Sequence, residues 1–329
     1  MRSPRIAATG MYVPDRVVTN AELSAGLGED VDEFLRDTLG IRQRHFCSEQ
    51  QATSDLATEA GRQALVRAGI APEEVNWLIV ATDTPEYISP PTAAVVQSNL
   101  RLRNAMFYDL NTACAGFVTA LDAGCKLIIT EPAFESVLVI GAYAMSKYIN
   151  WTDKYTSTMF ADGAGAVVLR PLEGKPAYLG AVFEADGSYH DYIGVYGGGT
   201  RFPSTPASLE KGEQLLQFKK RFPREFNVEH WPALIERLMK KIGRRVQDIN
   251  LILFTQINLS AIRDSMARLG LSMERTHYIM DRWGYTGSAC IPMALDDAVQ
   301  KKKLKPGDLL VMCASGGGFA MGASAFYWA

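Results

Sequence analysis

Apolar positions along the chain follow two spacings that alternate. Residues 53–69, TSDLATEAGRQALVRAG, repeat apolar or small side chains every three to four positions and predict a helix with one buried face. Residues 74–84, EVNWLIVATDT, hold an unbroken apolar run of strand length. A further helix is predicted over 117–129 (FVTALDAGCKLII), then strands over 136–144 (SVLVIGAYA) and 164–170 (AGAVVLR). Near-continuous Val, Ile and Leu runs between helices indicate strands covered on both faces. The order then returns. The helical RLMKKIGRRV precedes the strand DINLILFTQ (248–256), followed by the helix NLSAIRDSMARLG, the helix 288–300 (SACIPMALDDAVQ) and strands over 308–314 and 322–328.

The two series share a register. Val75 in EEVNWLIVAT pairs with Ile249 in QDINLILFTQ, an offset of 249 − 75 = 174, and TALD (119–122) pairs with MALD (293–296), where 293 − 119 = 174. Generic α/β alternation explains the element order but not one offset across two separate elements. The expectation is two similar α/β halves, 1–172 and 173–329, arising by duplication. Residues 190–226 break the pattern with Gly, Pro and charge. They predict an insertion loop with some helix, lying on the surface or at a site entrance.

Composition changes this picture little. The chain has 329 residues, 47% hydrophobic and 21% charged, with net charge −2, so no basic excess points to nucleic acid or an anionic membrane. The opening MRSPRIAATGMYVPDR lacks an apolar segment of secretory type, and no apolar stretch of ~18 residues is expected to cross a membrane. Five cysteines without a CxxC pair, and four histidines remote from them, disfavour disulfides and a metal site. A reducing cytoplasm fits better.

Candidate chemistry centres on Cys114, in DLNTACAGFVTAL (109–121), where a strand gives way to a helix. Unpaired N–H groups and the dipole at a helix start stabilise a thiolate, so the thiol pKa is expected to fall. Thr112, Ala113, Ala115 and Gly116 are small enough to let a carbonyl approach free amides. That suits an acylatable nucleophile. A buried structural cysteine fits the same residues. That second reading is preferred for Cys125, Cys290 and Cys313, and Cys47 reads as incidental. Two glycine clusters, MFADGAGAVVL (159–169) and ASGGGFAMGAS (314–324), enter or link strands, and neither is a dinucleotide fingerprint.

Taken together, GMYVPDRVVTNAEL, GIRQRH, NTACAGF, FADGAGAVVL, ALDDAV and SGGGFAMGA resemble the β-ketoacyl-ACP synthase III family of the thiolase superfamily over nearly the whole chain. The resemblance implies an α/β thiolase fold with five αβαβα layers and a homodimer. It also implies Cys114 as the residue that accepts an acyl group from coenzyme A or acyl carrier protein, with no permanently bound cofactor. The departures are informative. The family's His-Gln-Ala-Asn pattern reads Thr255-Gln256-Ile257-Asn258 here, and its Gly-Asn-Thr reads Gly284-Tyr285-Thr286. Positions of coenzyme A contacts carry Phe34, Thr38 and Lys154, where Phe34 can stack on adenine and Lys154 can meet a phosphate. This weakening favours a carrier-protein or pantetheine donor.

Losing one preorganised donor from a site that stabilises an enolate costs on the order of 10²–10³ in rate. Thr255 is a poor base. Tyr285 serves as a donor or a bulky wall, and Gln256 is the other candidate replacement. The amides of Cys114 and of Gly316–Gly318 are the expected oxyanion donors. The expectation is therefore an acyltransferase, or a non-decarboxylative condensing enzyme of specialised metabolism, passing an acyl group through Cys114 to a small-molecule or carrier-bound acceptor. Two alternatives stand: decarboxylative synthase chemistry using Gln256 and Tyr285, and a non-catalytic partner subunit. Trp283, Met159 and Phe319 suggest a reshaped pocket. His190 is a candidate replacement base against a surface role, His277 reads as structural, and His45 and His230 as incidental. Arg263 and Arg268, with Lys240, Lys241, Arg244 and Arg245, form a candidate basic face for an acidic carrier protein.

Overall fold

The computed structural model describes residues 2–223 and 225–329. Thirteen strands run through the described residues: β1 (Arg2–Tyr12), β2 (Arg16–Thr19), β3 (Gln43–Phe46), β4 (Trp77–Ala81), β5 (Met106–Leu110), β6 (Val137–Ala144), β7 (Asp162–Glu173), β8 (Tyr178–Ala185), β9 (Ile193–Val195), β10 (Leu216–Phe218), β11 (Leu251–Phe254), β12 (Leu309–Gly316) and β13 (Ala320–Tyr327). The helices are α1 (Asn20–Leu27), α2 (Thr53–Ala68), α3 (Thr92–Leu100), α4 (Gly116–Thr130), α5 (Lys154–Ser157), α6 (Pro206–Glu210), α7 (Phe226–Lys241), α8 (Leu259–Arg268), α9 (Met280–Trp283) and α10 (Cys290–Gln300).

Two sheets carry the fold. The first has the order β1-β7-β6-β4-β5, and the second β8-β13-β12-β11. In both, the first two pairings are antiparallel and the next is parallel. The sheets therefore match strand for strand, with β5 extending the first. The offset read from the sequence carries the start of β4 to the start of β11 (251 − 77 = 174) and the start of α4 to the start of α10 (290 − 116 = 174).

Helices fill the space between and outside the sheets. α4 packs on β4 and β6 of one sheet and on β12 and β13 of the other, and α10 packs on β1, β7 and β11. α2 and α3 cover the outer face of the first sheet, and α7 the outer face of the second, with α8 packed beside α7. The result is five layers, αβαβα. A helix between two sheets must be apolar on both sides, which is why α4 is rich in Phe, Val, Leu and Ile and largely buried. Its apolarity corrects one expectation. Residues 113–130 are long and apolar enough for a membrane span by composition, yet they are the central layer of this fold. The mid-chain glycine strand has a packing reason: a Cβ on Gly165 would lie 2.5 Å from the Met293 backbone nitrogen, so glycine lets α10 rest on β7.

The irregular segment 190–226 contributes β9, α6 and β10, and β9 and β10 pair as a small sheet. It forms one wall of the cavity described next.

Candidate active site

Cys114 sits on a tight turn between β5 and α4. Asn111 Oδ1 accepts the Ala113 N–H at 2.9 Å, and Thr112 and Ala113 carbonyls accept the N–H groups of Ala115 and Gly116 at 3.1 and 2.9 Å. Ala113 holds a left-handed backbone at φ 47°. Few non-glycine residues adopt that conformation, and its side chain is among the smallest that fit. The turn fixes the cysteine in front of a cavity of about 490 Å³.

The cavity lies at the carboxyl ends of the parallel strands, where open α/β sheets leave room for ligands. Asp83 reaches it from the end of β4, Thr255 from the end of β11 and the Ser315–Phe319 turn from the end of β12. The insertion supplies Ile193, Val195, Leu216, Phe218 and Phe222. The walls are mostly aromatic and aliphatic. Phe319 packs edge-on to Phe226 with ring centroids 4.9 Å apart, and Tyr285 lies 5.6 Å from Phe160.

Gly316 is needed at this spot. A Cβ there would meet the Thr112 carbonyl oxygen at 2.5 Å and the Cys114 and Ala115 nitrogens at 2.9 Å. The turn after β12 therefore presses against the Cys114 turn backbone to backbone. Gly318 in the same turn has φ 112°, a conformation open to glycine.

The electrostatics differ from the sequence expectation. Burial pushes the Cys114 thiol well above its ordinary pKa, the negative Asp83 nearby adds to this, and a hydrogen bond with the Tyr285 hydroxyl works against it. The expected lowering by the helix is outweighed for a structural reason. α4 begins at Gly116, two residues past the thiol, and the turn's own carbonyls already hold the Ala115 and Gly116 amides. The resting sulfur is a protonated thiol.

Thr255 and Tyr285 both line the cavity with Cys114. The Thr255 hydroxyl oxygen accepts the Ser315 N–H at 2.9 Å and lies 3.4 Å from the Ser315 carbonyl, so it ties β11 to β12. Tyr285 is buried, and burial raises its phenol pKa well above the usual value, so it stays a hydrogen-bond donor. Gln256 is not part of the lining. Its amide donates to the carbonyls of Phe254 (2.9 Å) and His277 (3.4 Å) and accepts from the Ile279 N–H (2.9 Å), which leaves it no role toward a substrate. Asn258 lines the cavity and caps α8 through Oδ1.

Other candidates lie apart. His190 is exposed, and its Nδ1 is 3.2 Å from the Gly187 carbonyl, so it does not replace a missing base. His277 is buried against Asp297 at 2.7 Å, in a cluster with Arg282 and Lys301. His230 meets Glu184 behind Phe319, and His45 meets the Pro14 carbonyl. Phe34 is exposed, and Lys154 is paired with Glu29 at 2.7 Å. Arg263 and Arg268 are exposed on α8, while Lys241, Arg244 and Arg245 are engaged by Ala181, Tyr327 and Asp248. All five cysteines are free, and no group of three or more potential metal ligands occurs among the described residues.

The residue that sequence reasoning passed over is Asp83. It was visible as a lone carboxylate at the end of the run WLIVATDT, but nothing in the pattern said that it faces the thiol.

Similarity to known proteins agrees with this geometry. Residues 108–187 match the family model for 3-oxoacyl-[acyl-carrier-protein (ACP)] synthase III, and residues 239–328 match its C-terminal model. The chain is 37% identical over 319 residues to the β-ketoacyl-[acyl-carrier-protein] synthase III of Roseiflexus sp. (strain RS-1), covering 97% of this chain and 96% of that protein. This chain belongs to the 3-oxoacyl-[acyl-carrier-protein] synthase III family. It is also 38% identical over 326 residues to the acetoacetyl CoA synthase NphT7 of Streptomyces sp. (strain CL190), covering 98% of each. The β-ketoacyl-[acyl carrier protein] synthase III structure from Thermus thermophilus superposes with a TM-score of 0.89 at 35% identity, over 99% of each chain. The fold is thus the thiolase fold of synthase III enzymes, a family of condensing enzymes. No histidine lines the cavity among the described residues.

Proposed function

We propose that this synthase III-like chain moves an acyl group from a carrier-protein or coenzyme A thioester through Cys114 to a small-molecule or carrier-bound acceptor, without a decarboxylation step. One observation carries the reading. Cys114 stands on a strained turn at an apolar cavity large enough for an acyl group, and the strand end that would offer an imidazole offers Thr255, whose hydroxyl is already bound to Ser315. Acyl transfer needs a nucleophile and amide donors for the tetrahedral oxyanion. It does not need two donors preorganised for an enolate. The Gly316–Gly318 amides and that of Cys114 are the candidate oxyanion donors. Arg263 and Arg268, exposed on the helix whose Asn258 cap borders the cavity, offer an acidic carrier protein a docking face. The free cysteines support a reducing cytoplasm.

Incubation with acetyl-CoA followed by intact-protein mass spectrometry is expected to show one acetyl adduct, absent from Cys114→Ala. An adduct that persists in the alanine variant, or none in the wild type, rejects the reading. The buried Tyr285 phenol, which lines the cavity with Cys114, supports a second reading, decarboxylative condensation with tyrosine as donor. Release of carbon dioxide from a malonyl thioester at a rate dependent on Tyr285 would favour it.

A further inference from the structure

A cavity built for acyl transfer with a raised thiol and no histidine still requires a proton acceptor. Among the described lining residues there is no Lys, Arg or His, and Asp83 is the one carboxylate. Its setting is built. β4 lies between β5 and β6 in the first sheet, and the chain leaving it is clamped on both sides of Asp83. The Thr82 N–H donates to the Leu110 carbonyl at 3.1 Å, on the strand that leads to the nucleophile turn. The Thr84 hydroxyl accepts the Ala144 N–H from β6 at 3.0 Å, and the Thr84 carbonyl accepts the Thr53 hydroxyl at 2.6 Å. Between these anchors Asp83 forms part of the cavity wall. Its Oδ1 is shut off from solvent and has no hydrogen-bond partner among the described residues. A buried carboxylate oxygen left unpaired is costly. Structures keep such a group where it has work to do.

The shared offset gives a second reason. The 174-residue offset relates Asp83 to Ile257, and both line the cavity from matching strand ends, β4 and β11. The end of β11 brings Thr255 and Ile257 to the cavity, neither of them ionisable in the ordinary pH range. The end of β4 brings a carboxylate.

We propose that Asp83 is the general base of the acyl transfer, relaying one proton between Cys114 and the groups that enter and leave. The inference rests on the acyl-enzyme reading above. In the first half-reaction the Asp83 carboxylate takes the Cys114 thiol proton as sulfur attacks the donor thioester carbonyl. The donor's own C–S bond breaks, and its departing thiolate collects that proton. In the second, the carboxylate takes the proton of the acceptor's hydroxyl, amine or acidic carbon as that atom bonds to the acyl carbon. The bond from the acyl carbon to Cys114 Sγ breaks, and the proton returns to the sulfur. Each cycle begins and ends with a free thiol and a carboxylate, with no redox change. Burial pushes the Asp83 pKa up to about 6, into the range where a carboxylate is an effective base at neutral pH. The titratable groups around it are Cys114 on its turn, Tyr143 on β6 and Tyr148 beyond it, each with its pKa raised in part by the Asp83 charge.

The test is the rate of Cys114 acylation by acetyl-CoA, read by quenched intact-protein mass spectrometry from pH 5 to 8. In the wild type the rate is expected to rise with pH and level off above about 6, as the carboxylate forms. Asp83→Asn is expected to slow acylation at pH 7 by about 10²–10⁴ and to lose that inflection, and Asp83→Glu to restore part of both. Alkylation of Cys114 by iodoacetamide provides the control. It follows the thiolate fraction, and removing the neighbouring negative charge raises that fraction, so Asp83→Asn should alkylate faster while acylating more slowly. A merely structural defect would slow both. Wild-type acylation with an unchanged rate and pH profile in Asp83→Asn overturns the base and leaves the acyl-enzyme standing. No acyl adduct on the wild type overturns both.

Discussion

At Asp83 catalysis and stability pull in opposite directions. Holding a carboxylate in an apolar wall raises its pKa from 3.8 to about 6. The folded pKa therefore lies above the unfolded one. The group destabilises the fold least below about pH 4, where both states are protonated, and the loss grows as pH rises through about 6. Asp83→Asn is expected to be more stable than wild type at pH 7.5 by on the order of 2 kcal/mol, and to differ little at pH 4. Thermal denaturation at the two pH values checks this. A stability difference of equal size at both would mean that the carboxylate is not paying a burial cost. At the same scale, Cys114 was legible in the sequence as a candidate, because small residues surround a thiol at a strand–helix junction, although a structural cysteine fits the same residues. Its raised pKa was not legible, since that depends on which walls close around the sulfur and on Asp83, 31 residues earlier in the chain.

At the scale of elements, the site depends on two turns that meet. The turn after β12 and the turn before α4 come from opposite halves of the chain, and Gly316 is where their backbones touch. Gly316→Ala places a methyl group 2.5 Å from the Thr112 carbonyl, so one turn must move. The expected cost is about 1–3 kcal/mol. Acylation of Cys114 should fall on the order of 10²-fold, because a displacement of about 1 Å at a reacting group has that effect. Melting temperature and acylation rate measured on one preparation would show it, and wild-type values for both would mean that the contact is relaxed without consequence. The element pattern itself was readable from the apolar runs. α2, α4, β6 and α10 fall within a residue or two of the predicted bounds. The shared offset of 174 extends to the first residues of β4 and β11 and of α4 and α10, and we read the two halves, 1–172 and 173–329, as duplicates. The insertion was readable only as irregular. That it walls the cavity follows from how β9 and β10 pair and where Phe218 and Phe222 then point.

For the whole molecule, the first sheet ends in an unpaired edge. Among the described residues, β5 has β4 on one side and no strand on the other. Met106 on that edge is exposed, as are Tyr87 and Ile88 in the loop after β4. An open edge with apolar neighbours invites pairing with a second copy. We propose a homodimer formed across β5. Sedimentation equilibrium at micromolar concentration is expected to give twice the chain mass, and Phe107→Pro, which removes a backbone donor facing away from β4, to reduce it to one. A monomer in the wild type would count against this arrangement.

The sequence by itself determined the alternation of strands and helices, the two-fold repetition of that order, the family and the candidate nucleophile. These follow from local periodicity and from residues close together in the chain, which physical chemistry constrains at short range. Tertiary structure alone decided which side chains share the cavity with Cys114. It withdrew Gln256 into backbone hydrogen bonds, committed the Thr255 hydroxyl to Ser315, left His190 at the surface and brought Asp83 to the thiol. The physical reason is that proton affinity and hydrogen-bond availability depend on burial and on partners distant in the chain, and these exist only once the five layers have closed.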